Sequence, residues 1–431
     1  MSGDSGLEAL STNGFRGVTG SESRRIAVIG AGLAGAAVCA RFAARGWQVD
    51  LIDAHPAPAL GASGNHAASF HPLIARDDNR MVRLIRAGID ASLTQWKGLA
   101  GAGFMFSWAQ CGALQLSRSG AKQNLADTLA GLGLDPDYAR ALDPHQASAL
   151  AGIELSAGGV LFGAGGWVQP ASLVRAQLAS CGARLKVHYG KPVAQVRRTG
   201  KPGADGADGT DWELLDAGGR QIARAPVVVL AGGADPTLPQ LFGQREWPVE
   251  AVSGQVTLIA TQGAATSTPA PRLPVHGDGY ILPGIDGQIV IGATYERTGS
   301  ASIELGHQRN LARAQRMLAT PLPAVASLHL SARVAARAVA RDRLPVIGAL
   351  PDADAVDTRA VLRAGARLAQ LPRLRGAYAA TAYGSRGLTW AALGAELLVS
   401  MLEGTPAPLP PQLIEAVDPA RFALRAVRQS S

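Results

Sequence analysis

Residues 25–53, RIAVIGAGLAGAAVCARFAARGWQVDLID, constrain this chain more tightly than any other stretch. An apolar run of strand length leads into Gly30, Gly32 and Gly35 at GxGxxG spacing; an alanine-rich helical pattern follows, stops at Gly46, and gives way to a second strand pattern closing on Asp53. This order of signals dictates a βαβ unit, since parallel neighbours need a crossover helix. Each glycine has a task there: Gly30 makes the tight turn, Gly32 lets backbone approach a pyrophosphate, and Gly35 lets helix touch sheet. Asp53 can bond ribose hydroxyls, and the helix N-terminus can hold negative charge. The expected fold class is α/β, with a Rossmann-type dinucleotide-binding domain.

Two further glycine motifs lie far downstream. VVVLAGGA places Gly232 and Gly233 after a buried strand pattern over Pro226–Leu230, and YGSRGL places Gly384 and Gly387 at the start of a long helical pattern. GxGxxG alone does not separate NAD from FAD. The YGSRGL turn favours FAD, because N–H groups and the positive dipole end of a helix can stabilise charge on a reduced flavin ring. The nucleotide-binding pieces therefore sit at the start, middle and end of the chain. The expected FAD-binding domain is discontinuous, 24–90, 151–242 and 333–431, with a smaller α+β substrate domain from 91–150 and 243–332. Residues 1–23 and the insert GKPGADGADGT read as disordered.

Composition narrows the class. With 431 residues, 47% apolar and 17% charged, the chain can bury sizeable cores. Cys39, Cys111 and Cys181 are odd in number and widely spaced, which excludes a disulfide framework or zinc site by pattern and suits a reducing, cytoplasmic compartment. No apolar run is long enough to span a bilayer, so no membrane association is expected. The net charge of +8, mostly arginine, suits a polyanionic partner, and equally a coding bias toward arginine.

Local signals fill in the remainder. GWVQPASLVRAQLASCGARLKVHYGKPVAQVRR reads as a helix started by Pro170 and stopped by Gly182, then a pair of strands. WELLDAGGRQIARAP and YILPGIDGQIVIGATYE read as hairpins, the second turning at Asp286-Gly287. In GASGNHAASFHPLIARDDN, Asp77 and Asp78 read as the cap of a helix over NRMVRLIRAGID, and His71, just before proline, as structural. DPARFALRAVRQ places Arg421, Arg425 and Arg428 on one face if helical, either a solvated face or an RNA contact.

Together these residues resemble the FAD-dependent amine oxidoreductases of the D-amino-acid oxidase and glycine oxidase superfamily. More closely, GASGNHAASFHPLIARDDN, RVAARAVARDRLPVIGALPD, YGSRGLTWAALGAELL and DPARFALR resemble the C-terminal oxidoreductase half of the MnmC family, the bifunctional tRNA 5-methylaminomethyl-2-thiouridine biosynthesis proteins. The resemblance implies FAD-dependent removal of the carboxymethyl group from 5-carboxymethylaminomethyl(-2-thio)uridine at the tRNA wobble position, giving the aminomethyl nucleoside and glyoxylate. It implies flavin contacts at Ser63, Gly64, Asn65, Val193, Gly232, Gly384, Ser385, Arg386, Gly387 and Leu388. It also implies that Arg337 grips the substrate carboxylate and Tyr280 adds a hydrogen bond. The family's methyltransferase half has no counterpart in these residues, so the reaction is expected to stop at the aminomethyl product unless a separate methyltransferase follows. A glycine oxidase or D-amino-acid dehydrogenase acting on free amino acids shares the fold, flavin and clamp, and a non-catalytic flavin-bearing RNA-binding protein would share the surface.

Overall fold

A computed structural model describes residues 24–75, 77–117, 129, 131–199, 211–244, 247–261, 270–296, 302–355 and 367–429; the expected N-terminal arm and the 200–210 insert lie outside them. Along the chain, β1 (Arg25–Ile29), α1 (Leu33–Ala44) and β2 (Gln48–Asp53) form the βαβ unit, and α2 (Arg80–Gly101) follows. Next come α3 (Pro170–Ser180), β3 (Leu185–Tyr189) and β4 (Val227–Leu230). The later elements are β5 (Val249–Ala260), β6 (Tyr280–Ile281), β7 (Gln288–Gly292), α4 (Ile303–Met317), β8 (Leu330–Ala340), β9 (Val346–Pro351), β10 (Arg373–Thr381), α5 (Gly387–Glu403) and α6 (Arg421–Gln429).

The first sheet has six strands in the order β9-β10-β4-β1-β2-β3. All pair in parallel except the β9 edge. Strand alternation decides what covers each face. Ile26 and Val28 face the helical layer of α1, α2, α3 and α5, while Ala27 and Ile29 face a layer that includes Trp212, Leu214 and Ala223. Burial on both faces explains why β1 and β4 read as almost unbroken apolar runs. Gly88 of α2 lies against Thr389, and Ser92 Oγ donates to the Leu388 carbonyl at 2.7 Å, so α2 fixes where α5 begins.

The second sheet has eight strands, ordered β8-β5-β7-β6, then 275–276, 113–116, 159–162 and 139–142. Residues 159–162 and the whole of β8 lie in this sheet, although 151–242 and the stretch from 333 onward were expected on the flavin side. Strand pairing, a non-local property, sets that membership. A local correction concerns the pair of strands after Gly182: β3 joins β2 in parallel, whereas Gln195–Arg198 pairs with Trp212–Leu215 in a separate sheet. The hairpin at Asp286-Gly287 is as read, with φ of 45° and 74° at its two central residues. The cap of α2 is corrected by one residue. Asn79 Oδ1 accepts from Met81 N at 3.1 Å and Val82 N at 3.2 Å, Asp77 bonds the Asn79 amide, and Asp78 pairs with Arg86. Among the described residues no helix is long and apolar enough to cross a membrane.

Candidate active site

A cavity of about 560 Å³ opens between the two sheets. Its walls come from the β1–α1 turn, the loop from Ala59 to Asn65, the end of β4, the face of β8 and the turn before α5. The N-termini of α1 and α5 both border it, and neither N-cap residue, Gly32 or Arg386, satisfies its helix through its own side chain. Two sets of backbone donors and two positive dipole ends thus meet one space, an arrangement suited to anionic or electron-rich groups.

At the turn, Gly30 has φ 114°, a conformation only glycine adopts without strain, and a Cβ there would collide with the Ala231 carbonyl. Gly35 lies beneath the turn, where a Cβ would meet the Gly30 carbonyl. Asp53 lines the cavity and also braces the turn: one oxygen accepts from Ala31 N at 2.6 Å, and the other from His55 N at 2.8 Å. A carboxylate offers about four acceptor positions, so capacity is left for hydroxyls. Ser63 Oγ accepts from Leu33 N at 3.0 Å, placing a loop oxygen against the first turn of α1.

Of the residues expected to contact flavin, Gly30, Gly32, Asp53, Ser63, Asn65, Val193, Gly232, Gly384, Ser385, Gly387 and Leu388 line this cavity; Gly35, Gly64 and Arg386 are not among its lining residues. Gly64 makes room for Arg333, whose Nη2 donates to the Leu60 and Gly61 carbonyls at 3.0 and 2.8 Å. Arg333 therefore ties β8 to the loop carrying Ser63, a link absent from the sequence reading. The Arg386 carbonyl caps α5 by accepting from Thr389 N and Trp390 N, while the charge of its half-buried guanidinium adds to burial in lowering His71 and His276. His71 stacks on Phe162 and bonds the Pro72 carbonyl at 2.7 Å. Burial pushes its imidazole down to about 4, keeping it neutral, as suits a packing residue.

Arg337 and Tyr280 line the same cavity. Arg337 is only 9% exposed. It touches the Thr294 carbonyl at 3.4 Å and the Tyr295 ring, whose centre is 4.7 Å from the guanidinium carbon, and no carboxylate pairs with it among the described residues. Gly254 on β5 creates its space, since a Cβ there would strike Nη1. Gly292 does the same for Tyr280, with a Cβ falling 2.9 Å from the phenol oxygen. Burial raises the Tyr280 phenol to about 12, against a smaller lowering by Arg337, so it remains a hydrogen-bond donor at neutral pH. A glycine inside a strand pattern is the sequence signal of such close approach, and both SGQV and VIGAT carry it.

The expected basic stripe at the C-terminus is corrected. Arg421 is 4% exposed and grips Asp342 through Nε and Nη2 at 2.9 and 3.0 Å, and Arg425 shares that carboxylate at 2.7 Å. The Arg428 side chain lies outside the described residues. A guanidinium engaged bidentately with a carboxylate is not available to phosphate.

The cavity fits a dinucleotide: bare backbone at Gly30 and Gly32, Asp53 at the end of β2, and a second helix N-terminus opposite. Residues 25–401 match the family described as "FAD dependent oxidoreductase". The chain belongs to the FAD dependent oxidoreductase family. Within it, the chain is 44% identical over 412 residues to the tRNA 5-methylaminomethyl-2-thiouridine biosynthesis bifunctional protein MnmC of Burkholderia pseudomallei (strain 668), covering 95% of this chain and 61% of that protein. The MnmC of Burkholderia mallei (strain SAVP1) matches to the same extent. This FAD dependent oxidoreductase thus spans about three-fifths of the length of the curated relatives it matches. Its fold is similar to glycine oxidase from Geobacillus kaustophilus, at TM-score 0.68 and 19% identity, covering 92% of this chain and 99% of that one. It is equally similar to iminodiacetate oxidase from Chelativorans sp. BNC1, at TM-score 0.68, 22% identity and the same two coverages.

Proposed function

We propose that this chain oxidises the N-substituted glycine arm of 5-carboxymethylaminomethyl(-2-thio)uridine in tRNA, leaving 5-aminomethyl(-2-thio)uridine and releasing glyoxylate. The observation that carries the reading is Arg337: a buried guanidinium facing a cavity, with no carboxylate paired to it among the described residues. Such a group is costly to bury unless an anion arrives, and the arm of this nucleoside ends in one.

The flavin would lie along the two helix N-termini, with Gly30, Gly32, Asp53, Ser63, Asn65, Val193 and Gly232 toward its nucleotide portion and Gly384, Ser385, Gly387 and Leu388 toward its ring. Gly35 and Gly64 would support that contact through the turn and loop they hold. FAD, when bound, supplies the acceptor for the hydride that leaves the glycyl CH₂. Arg337 holds the carboxylate as a fork, and Tyr280 donates its phenol proton to the same group. Fixing the carboxylate would restrict where the CH₂ and secondary amine can lie, which is the positioning that hydride transfer to a bound flavin needs. No general base is required, because a neutral amine can release hydride unaided. The imine left on the arm is hydrolysed by water, which separates glyoxylate from the aminomethyl nucleoside.

Homology to MnmC over nearly the whole chain favours the tRNA substrate over a free amino acid. Incubation with tRNA carrying the carboxymethylaminomethyl nucleoside, followed by nucleoside mass spectrometry, tests the proposal. Conversion to the aminomethyl nucleoside with stoichiometric glyoxylate is expected; an unchanged nucleoside would overturn it.

A further inference from the structure

Tyr295 has a placement that a small substrate does not require. It lines the cavity yet is 56% exposed, an unusual state for an aromatic ring. One face is covered by the Arg337 guanidinium, 4.7 Å from the ring centre. Its hydroxyl meets Ser385 Oγ at 3.1 Å, on the turn before α5. The ring is therefore pinned at its face and at its tip, and its remaining surface is turned to solvent at the cavity mouth. Leu60 and Val334, both exposed large apolar residues, line the same cavity. A fixed, half-bare ring beside exposed apolar side chains is a surface built to be covered.

Building on the tRNA reading above, we propose that Tyr295 is the platform on which the extruded wobble uracil stacks. In that nucleoside the carboxylate carbon and ring C5 are joined through a CH₂, an amine nitrogen and a second CH₂, a span of about 5 Å. With the carboxylate on Arg337, the pyrimidine falls beside the ring that Arg337 already touches. Single-stranded bases are recognised by stacking on aromatic faces, and an enzyme acting on a base substituent must first take that base out of its stack. A free amino acid has no ring to cover Tyr295, so this residue separates the nucleoside from glycine at the level of binding.

The test uses the flavin-loaded protein and its Tyr295→Leu and Tyr295→Phe variants. Each is mixed without oxygen with an anticodon stem-loop RNA carrying 5-carboxymethylaminomethyluridine, and separately with N-ethylglycine, which keeps the arm and lacks the base. The concentration giving half-maximal rate of flavin bleaching is read for both, and flavin content reports folding. Tyr295→Leu should raise that concentration for the RNA by about 10-fold or more, within the range measured for loss of one stacked base. Tyr295→Phe should stay close to wild type with both substrates, and in Tyr295→Leu, where Arg337 gives up one of its contacts, the loss for N-ethylglycine should be well below the loss for the RNA. An RNA response unchanged in Tyr295→Leu overturns the proposal. So does equal loss in Tyr295→Phe, which would assign the contact to the hydroxyl, and so does a parallel loss with N-ethylglycine, which would make Tyr295 a support for Arg337. Failure of the wild-type protein to bleach with the RNA would instead sink the tRNA reading itself, and this proposal with it.

Discussion

Arg337 is held by few contacts: one carbonyl, one aromatic face and the space left by Gly254. Arg337→Ala should keep its yellow flavin yet reduce second-order flavin bleaching by substrate by about a hundredfold, as expected when one side of a buried charged pair is removed. Loss of flavin instead would make the residue structural. Gly254→Ala should give a similar defect with the arginine intact, because the new Cβ displaces Nη1; unchanged kinetics would show that the guanidinium has another resting place. His71 titrates in the opposite sense from a gained ion pair. Its folded value is depressed to about 4, so its stabilising contribution is complete above pH 6.5 and is lost as pH falls through about 4. His71→Phe should flatten the fall in melting temperature across that window, and an unchanged pH profile would contradict the assignment.

At the scale of elements, α6 is anchored through Asp342, where burial alone would raise the carboxyl, and Arg421 and Arg425 more than offset it, holding it below the usual range. Breaking a buried pair of this kind costs about 3–5 kcal/mol. Arg421→Ala should therefore lower the melting temperature while leaving the salt dependence of RNA binding unchanged; a shallower salt slope would restore the RNA contact that the structure argues against. The same elements show what the sequence could disclose. The β1–α1–β2 unit was legible because its signals are contiguous: turn glycines, helical period and terminal acid all fall within residues 25–53. The positions of Tyr295, Gly254 and Arg333 were not, because register makes them neighbours. Arg337 stands opposite Val252, two residues from Gly254, only once β8 pairs antiparallel with β5. The C-terminal stripe misled for the converse reason: its helical spacing was correct, and its acidic partner lies 79 residues earlier.

At the scale of the whole molecule, two sheets enclose one cavity, and the net charge of +8 remains an attraction for a polyanion after Arg421 and Arg425 are set aside. RNA affinity should fall steeply and log-linearly with salt, and a flat response would argue for a small neutral or zwitterionic substrate. In the proposed reaction the amine arm of a tRNA nucleoside, gripped by Arg337, would give up its hydride to the bound flavin. Its most direct test is anaerobic mixing of the flavin-loaded protein with tRNA from cells that accumulate the carboxymethylaminomethyl wobble uridine, beside glycine, sarcosine and D-alanine, while following oxidised-flavin absorbance. Bleaching by the tRNA and little by the small amines is expected. Bleaching by the small amines alone would contradict it.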